Sequence, residues 1–353
     1  MSSTKSRSSS PDERRAILAL TLVAEVGSVT HRQLSERFRS ASRALDDGFS
    51  AGVRTDAYAK ADRILSDGAD RGLALITRID EEYPESLLQL HDPPAVLWSR
   101  GDWSALRAPI VAVVGTRRAT SYGRRVTQEI VTALARGGAT IVSGMALGID
   151  AIAHVSALET SGRTVAVLGT GADIAYPRAH AALHRDIGTR GLILSELPPG
   201  AHSDRGSFPR RNRIIAGLAS LTIVIEAPVR SGALITSSCA LDLGRDVGAV
   251  PGPIDSPQSQ GSNELIRDGA HAITSPADAL RLVGLEPEVK SRPRLNDECE
   301  TRIWAALENS SSSLDELCAR VALPVAQCLT TVTALELRGV IECAMTGEIR
   351  RRG

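Results

Sequence analysis

Short β-branched runs alternate with helical stretches through the middle of the chain, and this alternation constrains the fold more than any other feature. Each run is four to seven residues long and almost continuously apolar. Such runs are typical of strands covered on both faces, as in parallel sheets. The predicted strands are 110–114, 139–143, 164–169, 191–196, 221–226, 246–252 and 271–274. The pattern predicts an α/β fold with a Rossmann-like, doubly wound, mostly parallel sheet.

The alternating region covers about residues 75–285 of the 353, so sequence remains on both sides for smaller domains. Residues 1–10 are polar and rich in serine, which predicts disorder. Residues 11–72 follow a helical pattern that begins with proline and two acidic residues, as helices often do. They predict a small helical domain of the SAM or helix-hairpin-helix type. The proline-bearing segment 83–106 has the composition of a linker.

The C-terminal part of the chain has a different pattern. The polar stretch 286–297 contains proline and predicts a linker. Residues 298–353 contain three short helical segments and then a small hairpin pattern. Ser313 and Glu316 have the spacing of a capping box, and Pro324 suits the first turn of the third helix. We therefore expect a winged-helix-like domain here.

Positive and negative charges balance, with 41 basic and 41 acidic residues, so the protein is not basic over its whole surface. Local basic patches, which are what bind phosphates, are compatible with this balance. Three of the basic residues are lysines and the other 38 are arginines, whose planar fork suits phosphate. No apolar run is long enough for a transmembrane helix, and the start lacks the apolar core of a signal peptide. We expect a cytoplasmic protein without membrane contact.

The cysteines do not form a metal-binding pattern. The chain has five: Cys239, Cys299, Cys318, Cys328 and Cys343. The odd number and the absence of any CxxC pair do not match the paired spacing of zinc ligands. We expect small buried thiols, with no metal site and no cofactor.

The strand-to-helix joints are the candidate binding sites, because ligands of open parallel sheets bind at the carboxyl ends of the strands. The first two joints combine glycine and hydroxyl groups, and the first adds two guanidinium groups before a helix N-terminus, which attracts anions. The residues are Gly115, Thr116, Arg117 and Arg118 at the first joint, and Ser143 and Gly144 at the second. The GxGxxG pattern is absent, so ordinary NAD binding is not expected. The alternative is a plain turn with solvated arginines.

The helix after the second joint carries Asp150 and His154 four residues apart, and therefore on one face. A zinc pair or an acid–base dyad is one interpretation. We favour the other, in which Asp150 orients backbone amides and His154 is packed and hydrogen-bonded.

A dense arginine cluster follows the fourth strand and a long loop. The cluster consists of Phe208, Arg210, Arg211, Asn212 and Arg213. Single-stranded nucleic acid is bound by this combination, with rings stacking on bases and cations contacting phosphates. In the alternative interpretation, the phenylalanine anchors the loop and the arginines are solvated.

The fifth joint contains Ser231 and Gly232, whose backbone N–H groups are suited to another anion. Two carboxylates, Glu196 and Glu226, end strands but stand alone, without a nucleophile or a partner base. The rim of the sheet therefore has the character of a binding surface, and we expect no enzyme activity.

At these residues the sequence resembles the DNA-processing protein A family, also called DprA or Smf. The resemblance covers about 75–285, in motifs such as "VAVVGTRRATSYG", "IVSGMALGIDAIAH" and "FPRRNRIIAGL". It implies an extended Rossmann fold, often with a helical N-terminal domain and a winged-helix-like C-terminal domain. It also implies a dimeric protein that binds and protects incoming single-stranded DNA during natural transformation and helps to load the RecA recombinase.

The family motifs can be carried over residue by residue. The GxR turn corresponds to Gly115, Thr116 and Arg117; SGxAxGID to Ser143, Gly144, Ala146, Gly148, Ile149 and Asp150; and FPxRNR to Phe208, Pro209, Arg211, Asn212 and Arg213. The chain departs from the family at His180, where Asn is frequent, and at Ala233, where Ser is common. We predict that Arg211 and Arg213 lie at the rim and neutralise DNA phosphates, with Arg117 across from them.

Two other functions compete with this one. A Rossmann nucleotide hydrolase needs a PGGxGTxxE-type loop with a catalytic glutamate, whereas this chain has "VRSGALITSSCALD", in which Asp242 comes too late. A duplex-DNA regulator needs a basic recognition helix, but segment 324–339 has no basic residue before Arg338. We therefore favour a protein-docking role for the C-terminal domain.

Overall fold

The computed structural model describes residues 10–24, 26–204, 206–286, 294–308, 311–344 and 347–351. The chain divides into two compact units, Met1–Glu288 and Val289–Gly353. Residues 1–9 of the expected disordered start and most of the expected 286–297 linker lie outside the described residues. The domain limits inferred from the sequence stay predictions.

One sheet organises the first unit, with strand order β1-β2-β6-β5-β4-β3-β7-β8-β9. The strands are β1 Ala74–Thr77, β2 Val96–Gly101, β3 Ile110–Val114, β4 Thr140–Ser143, β5 Arg163–Leu168, β6 Leu192–Ser195, β7 Leu221–Val224, β8 Asp246–Ala249 and β9 His271–Ala272. Strands β3 to β9 are the seven predicted ones, and all pairings among them are parallel. The predicted Rossmann-like, mostly parallel sheet is confirmed.

The linker assignment for 83–106 is wrong, because this segment contains β2. Strand β2 pairs antiparallel with β6, with Trp98 opposite Ser195, and also with β1. Trp98 is only 1% exposed. The prolines that suggested a linker, Pro93 and Pro94, precede the strand, where a missing N–H removes no bond of the sheet.

Helices cover both faces of the sheet. They are α1 Pro11–Thr21, α2 Ser28–Phe38, α3 Ala41–Gly48, α4 Ala51–Asp70, α5 Ser121–Arg136, α6 Ile149–Glu159, α7 Ala181–Arg190, α8 Ser207–Leu218, α9 Gly232–Asp242, α10 Gln260–Arg267 and α11 Pro276–Leu282. Side chains of a strand alternate between faces, so Val111 and Val113 pack with α5 and α6, whereas Ala112 and Val114 pack with α8. Helix α1 shares a core with Trp98 of the sheet, so the N-terminal helices are part of the same unit.

The second unit has the three helices and the hairpin that the sequence predicted. They are α12 Glu298–Ala306, α13 Leu314–Val321, α14 Val325–Leu337, β10 Ile341–Cys343 and β11 Ile349–Arg351. The capping box of Ser313 and Glu316 is present, but Pro324 is the N-cap of α14 and not a residue of its first turn. Of the five thiols expected to be buried, Cys318 and Cys328 are buried, Cys239 and Cys299 are partly exposed, and Cys343 is exposed.

A helix that spans a bilayer must be both long and apolar. No single helix in the described part of the chain meets both requirements. Helices α13 and α14 meet them only as a pair, with a bend of 109° between them.

Candidate nucleic-acid interface

A cleft of about 440 Å³ lies at the carboxyl ends of the central strands, between the joints after β3, β4 and β7 and the start of α8. We call it the strand-end cleft. Eight of the predicted site residues line it: Gly115, Thr116, Arg117, Phe208, Arg211, Asn212, Ser231 and Gly232. Five others do not: Arg118, Ser143, Gly144, Arg210 and Arg213. The joints that the sequence singled out therefore converge on one concavity.

The turn after β3 presents Arg117 to solvent. A Cβ on Gly115 would lie 2.6 Å from Ile149, so only glycine allows this turn to pack on α6. Gly148 has a φ of 79° and faces the Thr116 carbonyl so closely that any side chain would collide with it. Because the backbone is held this tightly on the inside, the Arg117 side chain projects outward and is exposed.

An aromatic pair lies beside that guanidinium. Arg117 lies over the ring of Phe208, 5.7 Å from its centroid. The ring of Tyr176 lies 5.4 Å from Phe208 and is tilted by 37°, and Tyr176 is 46% exposed. Aromatic faces next to a cation are suited to unstacked bases and their phosphates. Tyr176 was not among the predicted site residues, because nothing in a single sequence shows that it meets a ring 32 residues later.

Arg211 lies under the cleft and not at its rim, so this part of the prediction is wrong. It is 6% exposed, and its Nη1 donates to the carbonyls of Gly144, at 2.6 Å, and of Val167. A side chain on Gly144 would occupy the place of the guanidinium. Burial lowers the pKa of Arg211 to about 10, so it is still protonated at neutral pH. It supplies a fixed positive charge to the floor of the cleft.

Asp150 and His154 have structural roles, as the favoured interpretation predicted. Asp150 accepts hydrogen bonds from the backbone N–H groups of Gly144 and Ala146, at 3.2 and 3.3 Å. Burial raises the pKa of Asp150, and the nearby charge of Arg211 opposes this shift. The Nδ1 of His154 lies 2.7 Å from the Thr164 hydroxyl, and burial lowers the pKa of His154 to about 3. Across the described ranges, no group of three or more His, Cys, Asp or Glu residues is arranged to hold a metal ion.

Arg213 is neutralised inside the protein, which contradicts its predicted place at the rim. Its Nη2 lies 2.7 Å from both carboxylate oxygens of Glu196, and its Nε lies 3.1 Å from Asp92. Its side chain is 11% exposed. Arg210 is exposed and pairs with Asp204 at 3.2 Å, outside the cleft. Successive residues of a helix are about 100° apart around its axis, so these neighbouring arginines reach different environments.

The N-terminus of α9 forms another wall of the cleft. Its N-cap residue, Ser231, makes no capping hydrogen bond, and the Ser231 hydroxyl oxygen is buried without a partner in the described part of the chain. Asn212 donates to the Gly232 carbonyl at 3.2 Å and fixes the turn. A Cβ on Gly232 would meet no atom within 4 Å. A free helix N-terminus beside an unpartnered hydroxyl is a suitable anion site.

The remaining polar side chains at the strand ends are hydrogen-bonded or ion-paired within the protein. Ser143 is fully buried and donates to the Val113 carbonyl at 2.7 Å, so its predicted role as a phosphate ligand does not fit. Glu226 accepts from the Thr120 N–H at 3.0 Å and from its hydroxyl, at the start of α5. Glu196 is held by Arg213. Both candidate catalytic carboxylates are thus hydrogen-bonded within the protein.

The fold and the site define an α/β protein of Rossmann type with a winged-helix domain and an anion-attracting cleft at the strand ends. The family model for DNA recombination-mediator protein A matches residues 74–284, and the DprA winged-helix model matches 286–344. The chain therefore belongs to the DNA processing protein A family, DprA/Smf.

Similarity to known proteins supports this family assignment. The chain is 44% identical to Protein Smf of Synechocystis over 64% of its length, and 38% identical to a putative DNA processing protein DprA of Mycobacterium tuberculosis over 77%. The match spans 58% of the first relative and 76% of the second. The structure of DprA from Streptococcus pneumoniae has a TM-score of 0.69 at 35% identity and covers 76% of this chain and 97% of its own.

A second solved structure concerns DNA processing protein A of Helicobacter pylori and its single-stranded DNA binding mode. It has a TM-score of 0.55 at 32% identity and covers 59% of this chain and 94% of its own.

Proposed function

We propose that this protein binds single-stranded DNA in the strand-end cleft, as a DNA-processing protein of transformation and recombination. The observation that carries the proposal is the meeting of three features in one concavity: the exposed Arg117, the Phe208–Tyr176 ring pair and the free N-terminus of α9. Each suits a different part of a nucleotide. Together they fit a phosphate–base–phosphate sequence.

In this arrangement one backbone phosphate contacts Arg117 and a neighbouring phosphate lies at Ser231 and Gly232. The base between them stacks on Phe208 or Tyr176. Arg211 acts from below, through its charge, because its Nη1 is engaged by strand carbonyls. Its buried charge still attracts phosphates, since low-dielectric surroundings screen it little.

The ring pair favours a single strand over a duplex. Bases in a duplex are stacked on one another, so their faces are not available to a side chain unless a base leaves the stack. Unpaired bases offer those faces without that cost. The cleft is therefore matched to unpaired DNA.

Family membership supports the finer roles that we propose. We propose that the protein protects incoming single-stranded DNA and helps to load RecA, that it acts as a homodimer and that it works in the cytoplasm. Membership of a family described as a recombination mediator supports the RecA role. The relative whose title names a single-stranded DNA binding mode supports the DNA substrate.

A titration of labelled oligo(dT) and of a duplex of the same length tests the proposal. Fluorescence anisotropy of the full chain across 50–200 mM salt should show tighter binding of the single strand at every salt concentration. Equal affinities, or tighter binding of the duplex, would contradict it. An excess of unlabelled single strand should displace the labelled one, which controls for aggregation.

We further propose that the protein is a binding protein and not a nucleotide hydrolase, since Glu196 and Glu226 are both engaged within the fold. Incubation with nucleoside monophosphates should release no free base. A catalytic turnover that Glu226→Gln abolishes would overturn this view. The C-terminal unit is not favoured as a duplex reader, because α14 contains no basic residue and exposes the apolar side chains of Val325, Leu329 and Leu337.

A further inference from the structure

A second and larger cleft, of about 610 Å³, lies between the N-terminal helices and the segment that follows β1. We call it the helix-side cleft. It shares no lining residue with the strand-end cleft. Three guanidinium groups line it, from Arg32 on α2, Arg39 at the end of α2 and Arg78 after β1. Such a group of arginines suggests a site for an anion.

The two carboxylates of the helix-side cleft do not neutralise all three arginines. Glu13 is bound to the N-terminus of α3, where it accepts from the Ala41 N–H at 2.5 Å and from the Ser42 hydroxyl at 2.9 Å. Glu36 forms an ion pair with Arg32, with 3.6 Å between its carboxylate oxygen and the Nε, and it is one negative charge against three positive ones. Positive charge therefore exceeds the negative charge that is free to pair with it.

Arg78 is the most informative of the three. Within the described part of the chain its guanidinium makes no hydrogen bond and no ion pair, although the side chain is half-buried. Burial lowers the pKa of Arg78, which reflects the lost hydration of its charge. The Nε of Arg32 is also buried without a hydrogen-bond partner. Arg32 has partners on its other side, since it pairs with Glu36 and its Nη1 donates to the His91 carbonyl at 3.2 Å. The half-buried guanidinium of Arg78 is therefore the group that a ligand of this cleft would pair with.

The other walls of the cleft are apolar. Ile17, Ile79 and Leu88 line it together with the arginines. Its volume lies within the range of roughly 300–1,000 Å³ that is usual for small-molecule sites. A simple inorganic anion would leave most of this space unfilled. A phosphate attached to a sugar and a base would fill both the polar and the apolar part.

We propose that the helix-side cleft binds a nucleoside phosphate, with the phosphate held by Arg78 and Arg32 and the base or sugar against Ile17, Ile79 and Leu88. Arginine forks match phosphate oxygens in a bidentate manner. The ligand is either a free mononucleotide or the phosphorylated end of a DNA strand, since both present the same chemistry. This inference does not depend on the function proposed for the strand-end cleft.

Isothermal titration of the full chain with 5′-dTMP tests the proposal. To weaken the contribution of the strand-end cleft, the background protein carries Arg117→Ala. Adding Arg78→Gln should weaken dTMP binding at least tenfold. Adding Arg43→Gln, which removes an exposed arginine of α3 that does not line the cleft, should change it less than twofold. The proposal fails if the background protein does not bind dTMP, or if both added variants behave alike.

Two further arms identify the ligand and control for folding. A 5′-phosphorylated oligo(dT) that binds in an Arg78-dependent way more tightly than dTMP identifies a strand end, and the reverse order identifies a free nucleotide. Saturating dTMP should raise the Tm of the Arg117→Ala protein but not that of the protein with Arg78→Gln added. Equal rises in Tm would overturn the assignment. Without ligand, Arg78→Gln should not lower the Tm, because it removes an unpaired cation.

Discussion

Replacing Arg117 by alanine should weaken single-strand binding without unfolding the protein. Arg117 is exposed, and its one ring contact, with Phe208, is worth about 0.5–1 kcal/mol at an exposed site. One charge-assisted phosphate contact is worth about 1.5 kcal/mol, so the affinity at 50 mM salt should fall roughly tenfold. Urea denaturation should show a loss of stability of about 1 kcal/mol or less.

The salt dependence of binding gives a second quantitative prediction for Arg117→Ala. Each phosphate contact with a single strand contributes about 0.7 to the slope of log K against log salt. Losing one contact should therefore flatten the slope by about 0.7, and the ratio of wild-type to variant affinity should shrink about 2.6-fold between 50 and 200 mM salt. Anisotropy titrations with oligo(dT) at four salt concentrations measure both quantities.

Arg136→Ala is the matched control. Arg136 is also exposed, but it is the last residue of the 16-residue helix α5, whose first turn adjoins the cleft. The helix is about 24 Å long, so Arg136 is remote from the site. The reasoning is refuted if Arg117→Ala leaves affinity and slope unchanged, or if Arg136→Ala alters them as much.

Arg213→Met should leave Glu196 without its partner and lower the free energy of unfolding in urea by about 3 kcal/mol. The folded variant should keep the wild-type affinity and salt slope for oligo(dT). A weaker affinity at unchanged stability would show that Arg213 contacts DNA. Phe208→Leu should cost about 1–3 kcal/mol of binding through lost stacking and leave the salt slope unchanged, so a flattened slope would contradict a stacking role. Burial lowers the pKa of His31 to about 4 and that of His154 to about 3, both below the unfolded value of about 6.5. The unfolded chain therefore binds protons first as pH falls, and each histidine should reduce the stability by about 1.4 kcal/mol per pH unit below about 6, until its folded pKa is reached. Urea midpoints at pH 7 and pH 5 measure the loss, His154→Gln should reduce it, and midpoints that do not change with pH would contradict the burial of these rings.

The sequence predicted the central sheet well because its strands are covered on both faces. Run 110–114 is continuously apolar for that reason, and run 221–226 has only Thr222 and the terminal Glu226 as polar residues. Strand β2 was missed because Pro93 and Pro94, which precede it, give the segment the composition of a linker. Trp98 and Ser195 meet across 97 residues of sequence, which no local pattern records.

The candidate site was predictable where backbone geometry defines it. Glycine at a strand end is visible in the sequence, so the joints at Gly115 and Gly232 were found. The surroundings of the arginines were not visible, because they depend on distant partners. Asp92 pairs with Arg213 although the two lie 121 positions apart in the sequence. The carbonyls that accept from Arg211 belong to Gly144, directly after β4, and to Val167 in β5. A charged residue in a motif can therefore bind a ligand, form an internal ion pair or remain as a buried cation, and only the three-dimensional contacts distinguish these roles.

Photocrosslinking is the most direct test of where the single strand lies. Oligo(dT) carrying a single 5-iododeoxyuridine would be bound to the full chain, irradiated and mapped by mass spectrometry. Crosslinks should appear at Phe208 or Tyr176, and at a protein concentration near the wild-type Kd they should be weaker in Arg117→Ala. Crosslinks confined to residues 289–353, with none on the two rings, would contradict a nucleic-acid site at the strand ends.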